Sequence, residues 1–396
     1  MDKIKPAANG DKPLGLYIHI PFCVKKCDYC DFLSAPATEE MKKRYVEALI
    51  KEITACKSYY TDYEVQTIFF GGGTPSCLEA GETGRIMDAL RAAFRFKETG
   101  LEATSEVNPG TITEEKLRIY RQAGINRLSF GLQSAQDREL EGLGRIHTYG
   151  QFKDNFHLAR ALGFYNINID LMSALPGQTL SSWEDTLRSV IALEPEHISA
   201  YSLIIEEGTP FYDCYREGAA GYALLPDEDT EREIYHLTKK ILEAHGYYRY
   251  EISNYAKKGF ECRHNSSYWT GTDYLGLGLG AASLIQGTRF SKTDSLQQYI
   301  RLCESDAPDG LIRESCKLTI AQQMEEFMFL GLRMCDGISK AGFYHRFQKE
   351  MKDIYPGTIQ EFVKKGLLAE EEDRIRLSDF GIDVSNQVLA EFLLEQ

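Results

Sequence analysis

Between residues 16 and 203, six apolar, strand-like runs alternate with helical patterns, and that rhythm restricts the fold more tightly than any other feature of the chain. The runs cover residues 16–20, 67–70, 101–107, 127–130, 166–172 and 197–203. Helical periodicity fills residues 38–60, 79–94, 151–162 and 183–192. Thr113, followed by Glu114 and Glu115, is a good helix start, because a hydroxyl caps free N–H groups and acids suit the positive end of the helix dipole. Breakers separate the units: Pro21, Gly71-Gly72-Gly73-Thr74-Pro75, Asn108-Pro109-Gly110 and Pro176-Gly177. Continuous apolar strands joined through helices imply parallel βαβ units covered on both faces. Six of them predict an α/β fold, a partial TIM-type (β/α)6 barrel over residues 15–225.

Polar residues gather at one end of that expected barrel. Cys23, Cys27 and Cys30, the triple glycine, Glu106, Gln133, Asp170 and Tyr201 all fall at or just past the C-terminal ends of strands, where such barrels assemble their chemistry. Taken singly, an acid after a strand is more often a helix cap than a ligand; the coincidence of all of them argues for a site. The three cysteines share one short loop behind Pro21. Thiolates so spaced select zinc or an iron–sulfur cluster. Structural zinc is closed by four ligands, yet the next cysteine is Cys56 and no second Cys-x-x-Cys pair exists. On a cubane cluster, three cysteines leave one iron open to a small chelating molecule.

Bulk properties exclude several classes. The chain has 396 residues, 43% of them hydrophobic and 26% charged, and no apolar window is long enough to span a membrane. A net charge of −14 argues against non-specific nucleic-acid binding, which needs a basic face. Residues 1–14 contain no apolar signal segment and read as a flexible lead-in, so no secretion is implied. Ten cysteines without a signal peptide point to a reducing, cytoplasmic setting.

Beyond Pro226 the rhythm changes. Residues 227–244 form a charged helix, 247–252 an exposed-looking strand, and 261–269 a polar, aromatic loop. The glycines of residues 276–283 lack the strand, helix and acidic partner of a dinucleotide loop. Residues 226–314 thus read as a barrel extension. Residues 315–396 show three helices (319–333, 339–347, 358–365), two short strands (367–369, 374–377) and a last helix, the order of a winged-helix-like α+β domain. Ten Lys and Arg against fourteen Asp and Glu in that segment, a balance of −4, make DNA readout improbable.

With an aromatic, Tyr29, before its last thiol, the Cys-x3-Cys-x2-Cys loop resembles that of the radical S-adenosylmethionine (SAM) superfamily. Nearly the whole chain is similar to the branch of oxygen-independent coproporphyrinogen III oxidases and haem chaperones. The likeness rests on Tyr17-Ile18-His19-Ile20-Pro21-Phe22-Cys23, the glycine loop through Ser76, Glu106-Val107-Asn108-Pro109-Gly110, residues 127–134, 143–147, 170–172 and 175–178, and His264-Asn265-Ser266-Ser267-Tyr268-Trp269. The resemblance implies that Cys23, Cys27 and Cys30 hold a [4Fe–4S] cluster with SAM on its open iron. Gly72, Gly73 and Thr74 would bind the amino-acid end of SAM, Tyr29 would flank its adenine, and Tyr17 would lie beside the cluster. Glu106, Gln133, Arg145 and Asp170 would complete the pocket, Arg145 matching a carboxylate by its fork geometry. It also implies one-electron cleavage of SAM to methionine and a 5′-deoxyadenosyl radical.

Two departures separate the oxidase from the haem carrier. Oxidases of this branch carry a fourth cysteine two residues after the third, where this chain has Phe32, and they have a longer arm before the cluster. Both features match the chaperones. The resemblance then implies haem as cargo, with His264 as candidate iron ligand and Cys262 as a weaker one. It also implies haem-accepting proteins and an electron donor as partners, and a cytoplasmic protein that visits the membrane transiently. The alternative is oxidative decarboxylation of two propionates of a porphyrinogen. Ala174, where the family carries glycine, departs from the pattern beside Asp170.

Overall fold

The structure, a computed structural model, describes residues 12–305 and 308–394. Strand β1 (Lys12–Ile20) begins earlier than its apolar run, so Lys12, Pro13 and Leu14 belong to the sheet and not to a lead-in. The rest of that expected segment, residues 1–11, lies outside the described residues. Then follow α1 (Glu39–Ala55), β2 (Tyr63–Gly72), α2 (Ala80–Ala93), β3 (Glu102–Val107), α3 (Glu114–Gln122) and β4 (Arg127–Gln133). The series closes with α4 (Asp137–Gly142), α5 (Tyr149–Ala161), β5 (Ile167–Ser173), α6 (Leu180–Ile191) and β6 (His197–Ser202). Caps set where the helices start: the hydroxyls of Thr38, Thr113 and Thr148 accept from Met41, Lys116 and Gln151 N–H groups. Strands β1 to β6 pair in parallel and in chain order, as six βα units should.

The extension is less simple than its sequence. After α7 (Pro210–Tyr215) and α8 (Glu228–Ala244), β7 (Tyr248–Arg249) and β8 (Asn254–Ala256) run antiparallel beside β6. Beyond α9 (Arg263–Trp269), the chain crosses to the opposite edge, where β9 (Tyr274–Leu277) lies parallel to β1. Strands β10 (Ala282–Ile285), β11 (Thr288–Lys292) and, after α10 (Leu296–Glu304), β12 (Ile312–Lys317) complete a twelve-stranded sheet. Two expectations need correction here. The segment 247–252 is not an exposed strand: β7 spans two residues, and Arg249, Tyr250 and Glu251 are buried against the C-terminal region. A boundary at 314/315 would cut β12 in its middle.

The main core lies between sheet and helices, where Leu16, Ile18, Ile68, Phe70, Leu128, Ile169 and Trp183 are buried. A polar knot ties the added edge to α1: the buried Glu52 carboxylate takes the ammonium of Lys292, Tyr299 O–H (2.5 Å) and Gly278 N–H (2.9 Å).

A second, separate core organises the C-terminal region around Met324, Met328, Phe343, Phe362 and Ile375. Its elements are α11 (Ile320–Gly331), β13 (Ile338–Ser339), α12 (Lys340–Phe347), α13 (Met351–Ile354), α14 (Thr358–Lys364), β14 (Leu368–Glu370), β15 (Arg374–Leu377), α15 (Asp379–Asp383) and α16 (Ser385–Ala390). The three strands pair antiparallel in the order β13-β15-β14, a small wing beside helices.

Candidate functional site

Pro21 ends β1, and the chain then doubles back on itself: Cys23 N–H donates to Ala35 C=O (3.2 Å) and Ala35 N–H to Pro21 C=O (3.0 Å). Within the loop, Cys30 N–H donates to Cys27 C=O at 3.2 Å, a turn that brings the last two thiols together. Cys23 is buried, Cys27 and Cys30 are half-buried, and all three line one cavity at the C-terminal end of the parallel strands. Burial pushes the Cys23 and Cys30 thiols up from their ordinary value.

The glycine loop after β2 is sewn to the cysteine loop. Gly73 N–H donates to Ile20 C=O (2.8 Å) and Thr74 N–H to Phe22 C=O (2.6 Å). Gly72 has φ +105°, and a side chain there would strike the His19 ring at 2.4 Å. A side chain at Gly73 would strike Phe22 C=O, also at 2.4 Å. Both positions need glycine, one for its dihedral and both for space.

Glu106 and Gln133 near the ends of β3 and β4, Asp170 in the middle of β5 rather than at its end, and Arg145 from the loop after α4 face the same cavity. Arg145 donates to the Gly131 carbonyl, to Asn108 Oδ1 (2.8 Å) and to Cys27 Sγ (3.5 Å), so a half-buried cation stands beside a thiol. Burial, followed by the neighbouring Asp170 carboxylate, pushes Glu106 up to about 8. Burial raises Asp170 too, opposed by hydrogen bonds from Asn168 Nδ2 (2.7 Å) and Ser129 O–H (3.1 Å). The pair therefore keeps a proton near neutrality that isolated carboxylates would shed. Tyr201 O–H donates to Gln133 Oε1 (3.0 Å).

Tyr29 lines the cavity and packs edge-on against Phe211 of α7 at 6.2 Å. Tyr17 does not reach the cavity wall: its hydroxyl meets His19 Nδ1 at 3.0 Å and its ring lies beside Phe69. Residues not singled out as site members also line it, among them Asn108, Ser129 and Lys26. Asn108 was hidden in an ordinary Asn-Pro-Gly turn. Ser129 was betrayed only by its alternation with Arg127 and Gly131 on one strand face.

His264 stands elsewhere. The segment read as a loop is helix α9, which packs at the opposite end of the strands from the cavity, and its histidine is wholly buried. Nδ1 meets Thr67 Oγ1 and Nε2 meets Tyr268 O–H, both at 2.8 Å, while the ring stacks on Phe69 at 5.2 Å. Burial pushes its pKa down to about 3. Both ring nitrogens are engaged and the ring has no exposed edge, so no face of His264 is open to a ligand in this arrangement. Cys262 is equally sealed, with Sγ 3.8 Å from Glu102 Oε1, and burial pushes its thiol up to about 12.

The donor set fits a cluster with an open iron. Three thiols share a wall with backbone that can approach a ligand closely, and a guanidinium offsets their negative charge. A sequence model of the radical SAM superfamily matches residues 17–190, and one of the HemN C-terminal domain matches residues 318–384. The chain is 38% identical over 380 residues to heme chaperone HemW of Bacillus subtilis, covering 96% of this chain and 99% of that protein. It is 34% identical over 389 residues to heme chaperone HemW of Escherichia coli, covering 97% and 99%. The chain belongs to the HemW family of radical SAM proteins. Membership in the radical SAM superfamily implies a [4Fe–4S] cluster and SAM as cofactors. The fold is that of coproporphyrinogen III oxidase (HemN) from Escherichia coli, with a TM-score of 0.82 at 24% identity over 97% of this chain and 91% of that one.

Proposed function

We propose that this chain is a haem carrier that binds haem and hands it to apo-proteins in a reducing compartment. The observation that supports it most is the nearly end-to-end similarity to relatives named heme chaperone HemW. Phe32, where the oxidases carry a fourth cysteine, is exposed at the cavity rim and supports the same reading. Among the described residues no helix is long and apolar enough to cross a membrane.

In this reading the cavity's residues serve the cofactors. When bound, the cluster supplies one electron to SAM. Gly72, Gly73 and Thr74 offer backbone to the amino-acid end, Arg145 pairs with its carboxylate, and Gln133, Asp170 and Glu106 hydrogen-bond the remainder. Tyr29 closes one wall. Glu106, holding its proton below about pH 8, donates where a carboxylate could only accept. Haem-accepting proteins and an electron donor are the partners.

The test is one anaerobic preparation of reconstituted protein given haem and, separately, coproporphyrinogen III with reductant and SAM. Haem uptake near one per chain and transfer to an apo-haem protein is the expected result. Formation of protoporphyrinogen would replace the carrier by the oxidase.

A further inference from the structure

With His264 sealed in the core, the cargo needs another seat, and one cavity outside the cluster site has the chemistry for it. It lies between the end of α9 and β10 on the sheet side and α11, β13 and α12 on the C-terminal side, with a volume of about 350 Å³. Its walls are mostly apolar: Trp269, Leu284, Phe327, Leu330, Met334 and Ile338 all face it. Two guanidiniums stand among them, Arg346 from α12 and Arg374 from β15, together with the carboxylates of Asp273 and Glu326.

Those polar groups have unspent capacity. Arg346 makes no hydrogen bond or ion pair among the described residues; its guanidinium lies over Gly271, 2.7 Å from where a side chain there would begin. Asp273 and Glu326 attract Arg346 across the cleft but make their closest contacts elsewhere: Glu326 pairs with Arg289 at 3.0 Å, and Asp273 accepts from Tyr63 O–H at 2.6 Å. Arg374 spends Nε and Nη2 on the Asp336 and Gly337 carbonyls, which leaves donors of its five unused. Trp269 Nε1 is shielded from water and has no acceptor, while Arg333 covers its ring at 4.4 Å. An apolar slot with two spare cationic donors and an unmet indole N–H is complementary to a broad apolar ligand carrying carboxylates at its edge.

Building on the haem-carrier reading, we infer that this interdomain cleft seats the porphyrin cargo, with Arg346 and Arg374 facing its propionates. Among the described residues that line the cleft there is no histidine, and Met334 is the one sulfur. The site therefore reads the macrocycle and its carboxylates rather than the iron. Trp269, not His264, is the residue of the 264–269 motif that meets the cargo. Seated there, the ligand touches both folding units at once, so loading and the docking of the C-terminal region are coupled.

The full-length, anaerobically reconstituted protein is titrated with haem, with metal-free protoporphyrin IX and with haem dimethyl ester, whose propionates are neutral. Arg346→Ala is expected to weaken haem and protoporphyrin IX about tenfold, the loss of one charge-assisted pair, and to leave the ester unchanged. Leu330→Trp, which fills the slot, weakens all three. Haem bound equally well by wild type and both variants overturns the cleft while the carrier reading stands. Equal weakening of haem and ester by Arg346→Ala removes the propionate contact and overturns the assignment. If wild-type protein takes up none of the three, carrier and cleft fall together. Should Leu330→Trp lose its cooperative melt, the Arg346→Ala comparison of haem with ester still decides.

Discussion

Glu106 shows how a single side chain in the cavity couples proton binding to folding. Burial first, and the Asp170 carboxylate second, lift it from its ordinary 4.5 to about 8, against a hydrogen bond from Gly72 N–H. The folded chain therefore holds a proton that the unfolded chain has lost across that window. Stability from this group is complete below about pH 4.5 and is lost as pH rises through about 8. Because the side chain lines a cavity that water can enter, we discount the effect to about 1 kcal/mol. Glu106→Gln, which cannot ionise, should gain on wild type by about 1 °C in melting temperature between pH 5 and pH 9, measured by calorimetry without cofactors. The same gain at both pH values would mean that the carboxyl is fully hydrated. Glu106 and Gln133 were legible because strand-end position and residue type agree, whereas Asp170 reaches the cavity from the middle of β5. The burial of His264 was not legible because a motif gives spacing and not surroundings: nothing in His-Asn-x-x-Tyr-Trp says that Thr67, fixed far away on β2, will take one ring nitrogen.

At the level of elements, the site depends on two loops that share backbone hydrogen bonds. Gly73 and Thr74 of the β2 loop donate to Ile20 and Phe22 at the entrance of the cysteine loop, so neither loop can shift alone. A methyl group at Gly73 would press on the Phe22 carbonyl, a main-chain atom with no rotamer to retreat into. Gly73→Ala should roughly halve the iron retained per chain after anaerobic reconstitution, since site geometry and cluster binding are linked. Gly81→Ala in α2, where an added Cβ meets nothing within 4 Å, is the matched control and should hold iron like wild type. Identical iron contents in the two variants would show that the stitching does not position the thiols. Long strands with continuous apolar runs were readable from periodicity, as were helices opened by threonine caps. The four-residue β9 was not, and β7 was read too long, because such short strands are selected by the sheet edge that receives them. Helix α9 was missed for a related reason. Its first turn is held from outside, by Glu102 accepting from Arg263 N–H (3.1 Å) and His264 N–H (2.9 Å), with no capping residue in its own sequence.

For the molecule as a whole, the order of helices and strands announced the C-terminal unit, but how it docks on the barrel depends on pairs far apart in the chain. Asp379, at the start of α15, takes Arg249 of β7 at 3.0 Å and Lys239 of α8 at 2.7 Å, and Asp383 takes His236 at 3.1 Å. These contacts differ in weight. Lys239 and His236 are solvated enough that salt screens them, whereas the Arg249 side chain is only 5% exposed and also donates to Tyr235 O–H at 2.9 Å. Losing the anion beside a buried guanidinium costs more than losing a surface pair, about 1 kcal/mol against a few tenths, the Asp379 carboxylate being itself mostly exposed. Asp379→Ala should therefore loosen the junction after β12 far more than Lys239→Ala does. The expected signature is limited proteolysis near Leu318 that is several-fold faster in Asp379→Ala, with a difference from wild type that persists at high salt. Lys239→Ala should cleave like wild type once salt is added. If the two variants are cut alike, the buried arginine is not the latch, and the C-terminal unit is held instead by the main-chain bridge between Glu251 and Met334 and by Cys335 N–H on Tyr250 C=O.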